Sequence, residues 1–284
     1  MNLNDLRPIR IQQYINEAAQ KNAPETVKKD CTALKLIFDT AVENQLCIPP
    51  LTKSVKRPKS GAAAVKHAFT QERYDSAYTF AKEWKNGLLF MLLLETGISR
   101  SELLGLRWED LDLEQQSIHI NQGLVVYHSV EEDKLVMESN GLKNKFRRRT
   151  IPITDQELWK RLCQAPRTVN LGKRTMLTEQ IFHSPEGKPY QPNNWENRVY
   201  RPFMRVLHKA HPGVPMLSPH ELRHTRATLW IAQGMDPCMA ARLLGHSDLK
   251  MLTKIYDHTS TETLRQALLA TAQTKPIDKG ETAL

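Results

Sequence analysis

His220, Arg223, His246 and Tyr256 stand within one stretch, residues 218–258, and supply two imidazoles, a guanidinium and a phenol. Ser218, Pro219 and Glu221 read as N-cap, N1 and N3 of a helix, since a serine oxygen takes an orphan amide and proline has none to lose. His220 then sits in the first turn. Arg223 follows one helical step of three later, so both side chains project from one face at the positive end of the helix, which suits a phosphate. His224 points about a hundred degrees away from Arg223 and reads as a packing histidine. The helix stops at Gly234. Asp236 caps a second helix with Pro237 at its first position, and Leu243, Leu244 and Gly245 close it. His246 falls in the corner that follows, before a third helix opened by Ser247 and Asp248 that carries Tyr256 near its end.

The rest of the chain must hold these helices in place. Residues 3–19 and 25–45 read as two amphipathic helices, the second with Val27, Leu34, Ile37, Phe38, Ala41 and Val42 at helical spacing. Residues 49–67 carry proline, glycine and lysine with little apolar patterning and read as a linker. Thr70 caps a helix to residue 83, and 86–96 is an apolar helix too short to span a bilayer. Gly97 ends it, and Ser99 with Glu102 forms a capping box opening SELLGLRWEDL. Trp108 reads as packing. Ile118, Ile120, Val125 and Tyr127 suggest a strand or hairpin arm, with partners at 134–137 and 150–153. Thr154 and Glu157 are expected to cap another helix, with further helices over 175–181, 193–210 and 260–273.

The chain of 284 residues has room for two domains. Its 40% hydrophobic content, without an apolar run of membrane length, reads as a soluble, cytoplasmic protein. The charged N-terminus is not signal-like. Cys31, Cys47, Cys163 and Cys238 form no C-x-x-C pair, so neither a zinc ribbon nor a redox motif is suggested, and reduced, mostly buried thiols are expected. A net charge of +9 favours an anionic partner, nucleic acid above all.

The order H-E-L-R-H-T, then L-G-H-S, then a tyrosine about ten residues on resembles the C-terminal boxes of the tyrosine site-specific recombinases, the phage and transposon integrase family. The resemblance covers most of the chain. It implies a mainly α fold with a small antiparallel β-sheet (α+β), in which residues 1–48 form part of a helical core-binding domain. Residues 49–67 would be a basic linker, 68–274 the catalytic domain and 275–284 a tail. It also implies Tyr256 as nucleophile, Arg223 as clamp on the scissile phosphate, and His220 and His246 as phosphate hydrogen-bond donors, His220 the better acceptor of the tyrosine proton. LKNKFRRRTIPI resembles the segment whose lysine protonates the leaving oxygen, which points to Lys143, with Lys145 in reserve. Lys145, Arg147, Arg148 and Arg149 there, and Lys53, Lys56 and Arg57 in the linker, are expected along the DNA backbone. No metal and no cofactor is implied.

One position departs from the family. Its first catalytic arginine normally stands where Ser99 is, whereas this chain reads T-G-I-S-R-S-E-L and places Arg100 one residue late. Arg100 at the first helical position is expected to take over the phosphate contact. The reading as a whole is a recombinase or integrase acting through a covalent 3′-phosphotyrosine for integration or excision of a mobile element. Its partners would be duplex recombination sites, a homo-tetramer joined by C-terminal helix exchange and an accessory directionality factor, with no membrane. Two alternatives stand beside it: a catalytically impaired DNA-binding relative acting as a regulator or architectural protein, and a topoisomerase of the tyrosine type.

Overall fold

A computed structural model describes residues 6–46, 55–56, 68–129, 131, 134–141 and 147–246, and the chain divides into two units, Met1–Val65 and Lys66–Leu284. The architecture is mainly helical with small antiparallel sheets, the α+β class expected. In the first unit, α1 (Pro8–Lys21) and α2 (Pro24–Glu43) bury Ile11, Ile15 and Ala18 against Val27, Cys31, Phe38 and Ala41. Helix α1 begins five residues later than expected because proline favours N1 and holds Arg7 before it extended. Ile37, expected in this core, is 57% exposed.

In the second unit, α3 (Gln71–Glu83), capped by Thr70, packs on α4 (Gly87–Thr96), which buries every residue from Leu89 to Leu94. Each such side chain contributes about 1.5–3 kcal/mol relative to exposure, so α4 anchors what surrounds it. The short α5 (Arg100–Gly105) leads to β1 (Leu111–Asp112) and β2 (Ser117–Ile120). Then β3 (Gln122–Ser129) and β4 (Lys134–Gly141) pair as a hairpin, and β5 (Arg149–Pro152) returns to complete the sheet order β1-β2-β5. Opposing Ile118 and Ile151 are both buried, which sets the register. Trp108 packs against the main core, donating to Thr178 Oγ1 at 3.3 Å.

Two helix expectations change. Asp155, not Thr154, caps α6 (Gln156–Gln164), its carboxylate accepting from the Leu158 amide at 2.8 Å. Residues 175–181 form no helix. β6 (Thr168–Leu171) and β7 (Arg174–Leu177) pair instead, because Gly172 at φ 65° makes a two-residue turn. The expected helix over 193–210 is α7 (Pro192–Trp195), a π turn (Glu196–Tyr200) and α8 (Arg201–Ala210). Then α9 (Pro219–Ala232) and α10 (Pro237–Leu244) share a small core of Ala227, Trp230, Ile231, Ala240, Ala241 and Leu244. Cys31 is buried, but Cys163 and Cys238 are exposed, contrary to expectation: both lie on outward faces of their helices. Cys47, the third helix and residues 260–273 lie outside the described residues. Among the described residues no helix is long and apolar enough to cross a membrane.

Candidate active site

Ser99 accepts from the Glu102 amide while the Glu102 carboxylate accepts from the Ser99 amide at 2.8 Å, and this reciprocal cap starts α5. The same carboxylate meets Arg149 as a fork, Nη1 to Oε1 and Nη2 to Oε2, both at 3.0 Å. Arg223 Nη1 approaches Oε2 at 3.5 Å. Glu102 is 1% exposed, and burial alone would raise its pKa. The hydrogen bonds and charge of Arg149, then Arg223 and the Ser99 amide, outweigh that and hold it at about 2. A buried carboxylate therefore stays ionised between two guanidinium groups.

Arg223, 7% exposed, sits on α9 and is fixed by backbone carbonyls of two other elements. Its Nη1 donates to Gly97 O at 3.0 Å and its Nη2 to Leu244 O. Both carbonyls stand at helix ends closed by left-handed glycines, Gly97 at φ 60° and Gly245 at φ 69°. A Cβ on Gly97 would lie 2.8 Å from Leu244 Cδ2, so glycine also lets the end of α4 approach α10. Burial lowers the Arg223 pKa to about 10, with Glu102 opposing, and the side chain stays cationic at neutral pH.

His246 follows α10 and accepts from Arg223 Nε through Nε2 at 3.3 Å. Burial first, then the charge of Arg223, depresses its pKa to about 4. The imidazole is thus neutral at pH 7 with its proton on Nδ1, a buried atom without a hydrogen-bond partner among the described residues. Any donation from His246 comes through Nδ1.

Ser218, Pro219 and Glu221 form the predicted capping box of α9, with Ser218 accepting from the Glu221 amide. His220 is exposed in its first turn and packs edge-on against His224, ring centroids 4.9 Å apart. His220, Arg223 and Arg100 line one open cavity of about 370 Å³ with Ser99, Ser101, Glu196, Ser218 and Pro219. Arg100 meets Glu196 there, Nη1 to Oε2 at 2.5 Å. Two guanidinium groups and an imidazole, able to donate hydrogen bonds, thus face one open space beside the Glu196 carboxylate.

The structure brings together four of the expected catalytic residues: Arg223, His220 and Arg100 around the cavity, and His246 on Arg223. Tyr256 and Lys143 lie outside the described residues, as do Lys145, Lys53 and Arg57. Lys56 and Arg148 are exposed and Arg147 is half-buried. Arg149 is a correction. Its side chain is 3% exposed and turned inward to Glu102, Leu243 O and Arg147 O, so its charge does not face a DNA backbone. The pairing of β5 with β2 places it beneath the end of α10. Sequence reasoning saw Glu102 only as a cap and passed over Glu196. For Glu102 a signal existed, since an acid at N3 of a short buried helix must find a cation.

A model of the phage integrase family matches residues 67–263. The XerC-like tyrosine recombinase of Caldanaerobacter subterraneus subsp. tengcongensis is 26% identical over 274 residues, covering 91% of this chain and 68% of that protein. The transposase of transposon Tn916 from Enterococcus faecalis is 23% identical, covering 90% of this chain and 62% of its own length. Among solved structures, the Tn1549 transposon integrase in complex with a circular intermediate DNA superposes with a TM-score of 0.74 at 20% identity, covering 95% of this chain and 86% of that one. A lambda integrase dimer bound to a COC' core site gives 0.60 at 18% identity, covering 90% and 81%.

Proposed function

The chain belongs to the phage integrase family, and on that premise we propose that it is a site-specific DNA recombinase that integrates or excises a mobile element through a covalent 3′-phosphotyrosine. The observation that carries this reading is the convergence of Arg223, His220 and Arg100 on one cavity, with His246 bonded to Arg223. Breaking a DNA strand requires a nucleophile, a positive field for the charge growing on the phosphate oxygens, and an acid for the departing 5′ oxygen. Arg223 and Arg100 supply the field. An ordinary tyrosine has a pKa of about 10, so the Tyr256 proton must leave during attack, and His220 accepts it.

The Tyr256 oxygen bonds to phosphorus as the phosphorus–O5′ bond breaks, and Lys143 gives its proton to that oxygen. A 5′-hydroxyl of another strand then reverses the step. One phosphodiester replaces another, so the bond energy is kept and neither ATP nor a metal is required. His246 holds Arg223 by accepting from its Nε. The first unit serves as a helical core-binding piece, residues 49–67 as a basic tether, and Lys56, Arg147 and Arg148 with Lys53, Arg57 and Lys145 follow the DNA backbone. Exchange takes place in a homo-tetramer joined through the C-terminal helix, with a directionality factor choosing between integration and excision.

The Ser99 position favours one other reading. Its hydroxyl is engaged in the α5 cap and brings no charge to the cavity, as a DNA-binding relative without chemistry would have it. A nicked duplex whose released fragment diffuses away separates the two. The recombinase traps a protein–DNA adduct that survives denaturing electrophoresis and vanishes in Tyr256→Phe. Binding without an adduct in the unaltered protein overturns the proposal, and relaxation of plasmids without exchange between two sites would make it a topoisomerase.

A further inference from the structure

Glu196 faces the cavity from the π turn between α7 and α8. The buried residues of that run explain the turn: Trp195 and Tyr200 are five apart, where an α-helix would return to the core after three or four, and Phe203, Met204 and Leu207 resume ordinary helical spacing. The extra residue lets both Trp195 and Tyr200 reach the core, each 2% exposed or less, while Glu196 points to the cavity side. Its two oxygens are divided. Oε2 takes Arg100 Nη1 at 2.5 Å, and Oε1 takes Arg201 Nη2 at 3.2 Å.

We propose that Glu196 is a positioning residue that aims the displaced Arg100 at the phosphate, an inference that rests on the recombinase reading. Arg100 leaves from the first position of α5, one residue past the extended N-cap Ser99 where the family's arginine would stand, so its long side chain must be directed to the cavity by a partner. The Glu196 carboxylate does this by holding one guanidinium nitrogen. Because Arg201 supplies a second positive charge, the trio Arg100, Glu196 and Arg201 keeps a net charge of +1, and Arg100 is oriented without being neutralised. A guanidinium has five N–H donors in a planar fork, so the remaining ones stay available to phosphate oxygens. The chain meets the entropy of ordering Arg100 before DNA arrives, as preorganised sites do.

The test is a double-mutant cycle read by affinity and by chemistry. Glu196→Ala should slow single-turnover cleavage of a nicked duplex by about 10- to 100-fold, the effect of a mispositioned group, and lower the slope of log affinity against log salt by about one, as for a lost phosphate contact. Neither change should add to that of Arg100→Ala. Glu196→Gln, which keeps an acceptor oxygen for Arg100, should restore most of both. The idea is overturned if Glu196→Ala binds or cleaves better than the unaltered protein, or if it costs as much in the Arg100→Ala background as without it. Should the unaltered protein bind DNA and form no adduct, the recombinase reading falls, and the affinity cycle still decides the role of Glu196.

Discussion

Replacing Glu102 by Gln removes one negative charge from between two buried arginines while keeping the shape of the cap. The carboxyl pKa falls from the ordinary 4.5 to about 2 in the folded protein, a difference worth about 3 kcal/mol of stability at pH 7. A carboxylate with a depressed folded pKa stabilises fully above its unfolded pKa and loses that contribution as pH falls through the folded value. The stabilisation should therefore be intact at pH 6–7, about half as large near pH 3 and absent below pH 2. Gln cannot titrate, and it leaves Arg149 and Arg223 facing each other, a loss of the order of 3–5 kcal/mol for a broken buried pair. At about 2–4 °C per kcal/mol for a unit of this size, Glu102→Gln should melt about 6–20 °C lower at neutral pH. Urea unfolding of both proteins between pH 7 and pH 3 measures the difference directly. A gap that does not narrow on acidification refutes the argument, for it would mean that the Glu102 charge does not hold the two guanidinium groups.

Four further outcomes follow from the same geometry. Arg223→Lys keeps the charge but cannot reach Gly97 O, Leu244 O, Glu102 and His246 together, so adduct formation should fall by about 10² to 10³ with duplex affinity changed far less in a filter or fluorescence assay. Gly97→Ala places a methyl 2.8 Å from Leu244 Cδ2 at a φ of 60° and should cost about 1–3 kcal/mol in a chemical melt. Arg148→Gln should lower the salt slope of DNA affinity by about one. Arg149→Gln should leave that slope unchanged and instead lower the melting temperature, since its charge is buried on Glu102.

The inward arginine also ties the sheet to α5 and α10. Arg149 donates to Glu102 of α5 and to Leu243 O of α10, and Arg223 donates to the ends of α4 and α10. One carboxylate thus fixes the strand that leads out of the basic segment as well as the helix that carries Arg223. Shortening Glu102 or turning β5 out of register would move Arg223.

Local codes carried much of this in the sequence. The capping boxes at Ser99 and Ser218, the aspartate cap at 236, and the glycine stops at 97 and 245 all depend on residues within a few positions of one another. Such a code needs no knowledge of the rest of the fold. The family boxes were legible for the same reason. What the tertiary structure alone decided was the direction in which charges point. Arg149 sits in a basic run and looks like its neighbours, yet pairing of β5 with β2 turns it onto a carboxylate 47 residues away. Arg223 finds its carbonyl at Gly97 126 positions earlier. Glu196 meets Arg100 only because a π turn lets both Trp195 and Tyr200 reach the core. A buried charge takes whichever partner packing brings within hydrogen-bonding distance, and that distance is a property of the folded core, not of spacing along the chain.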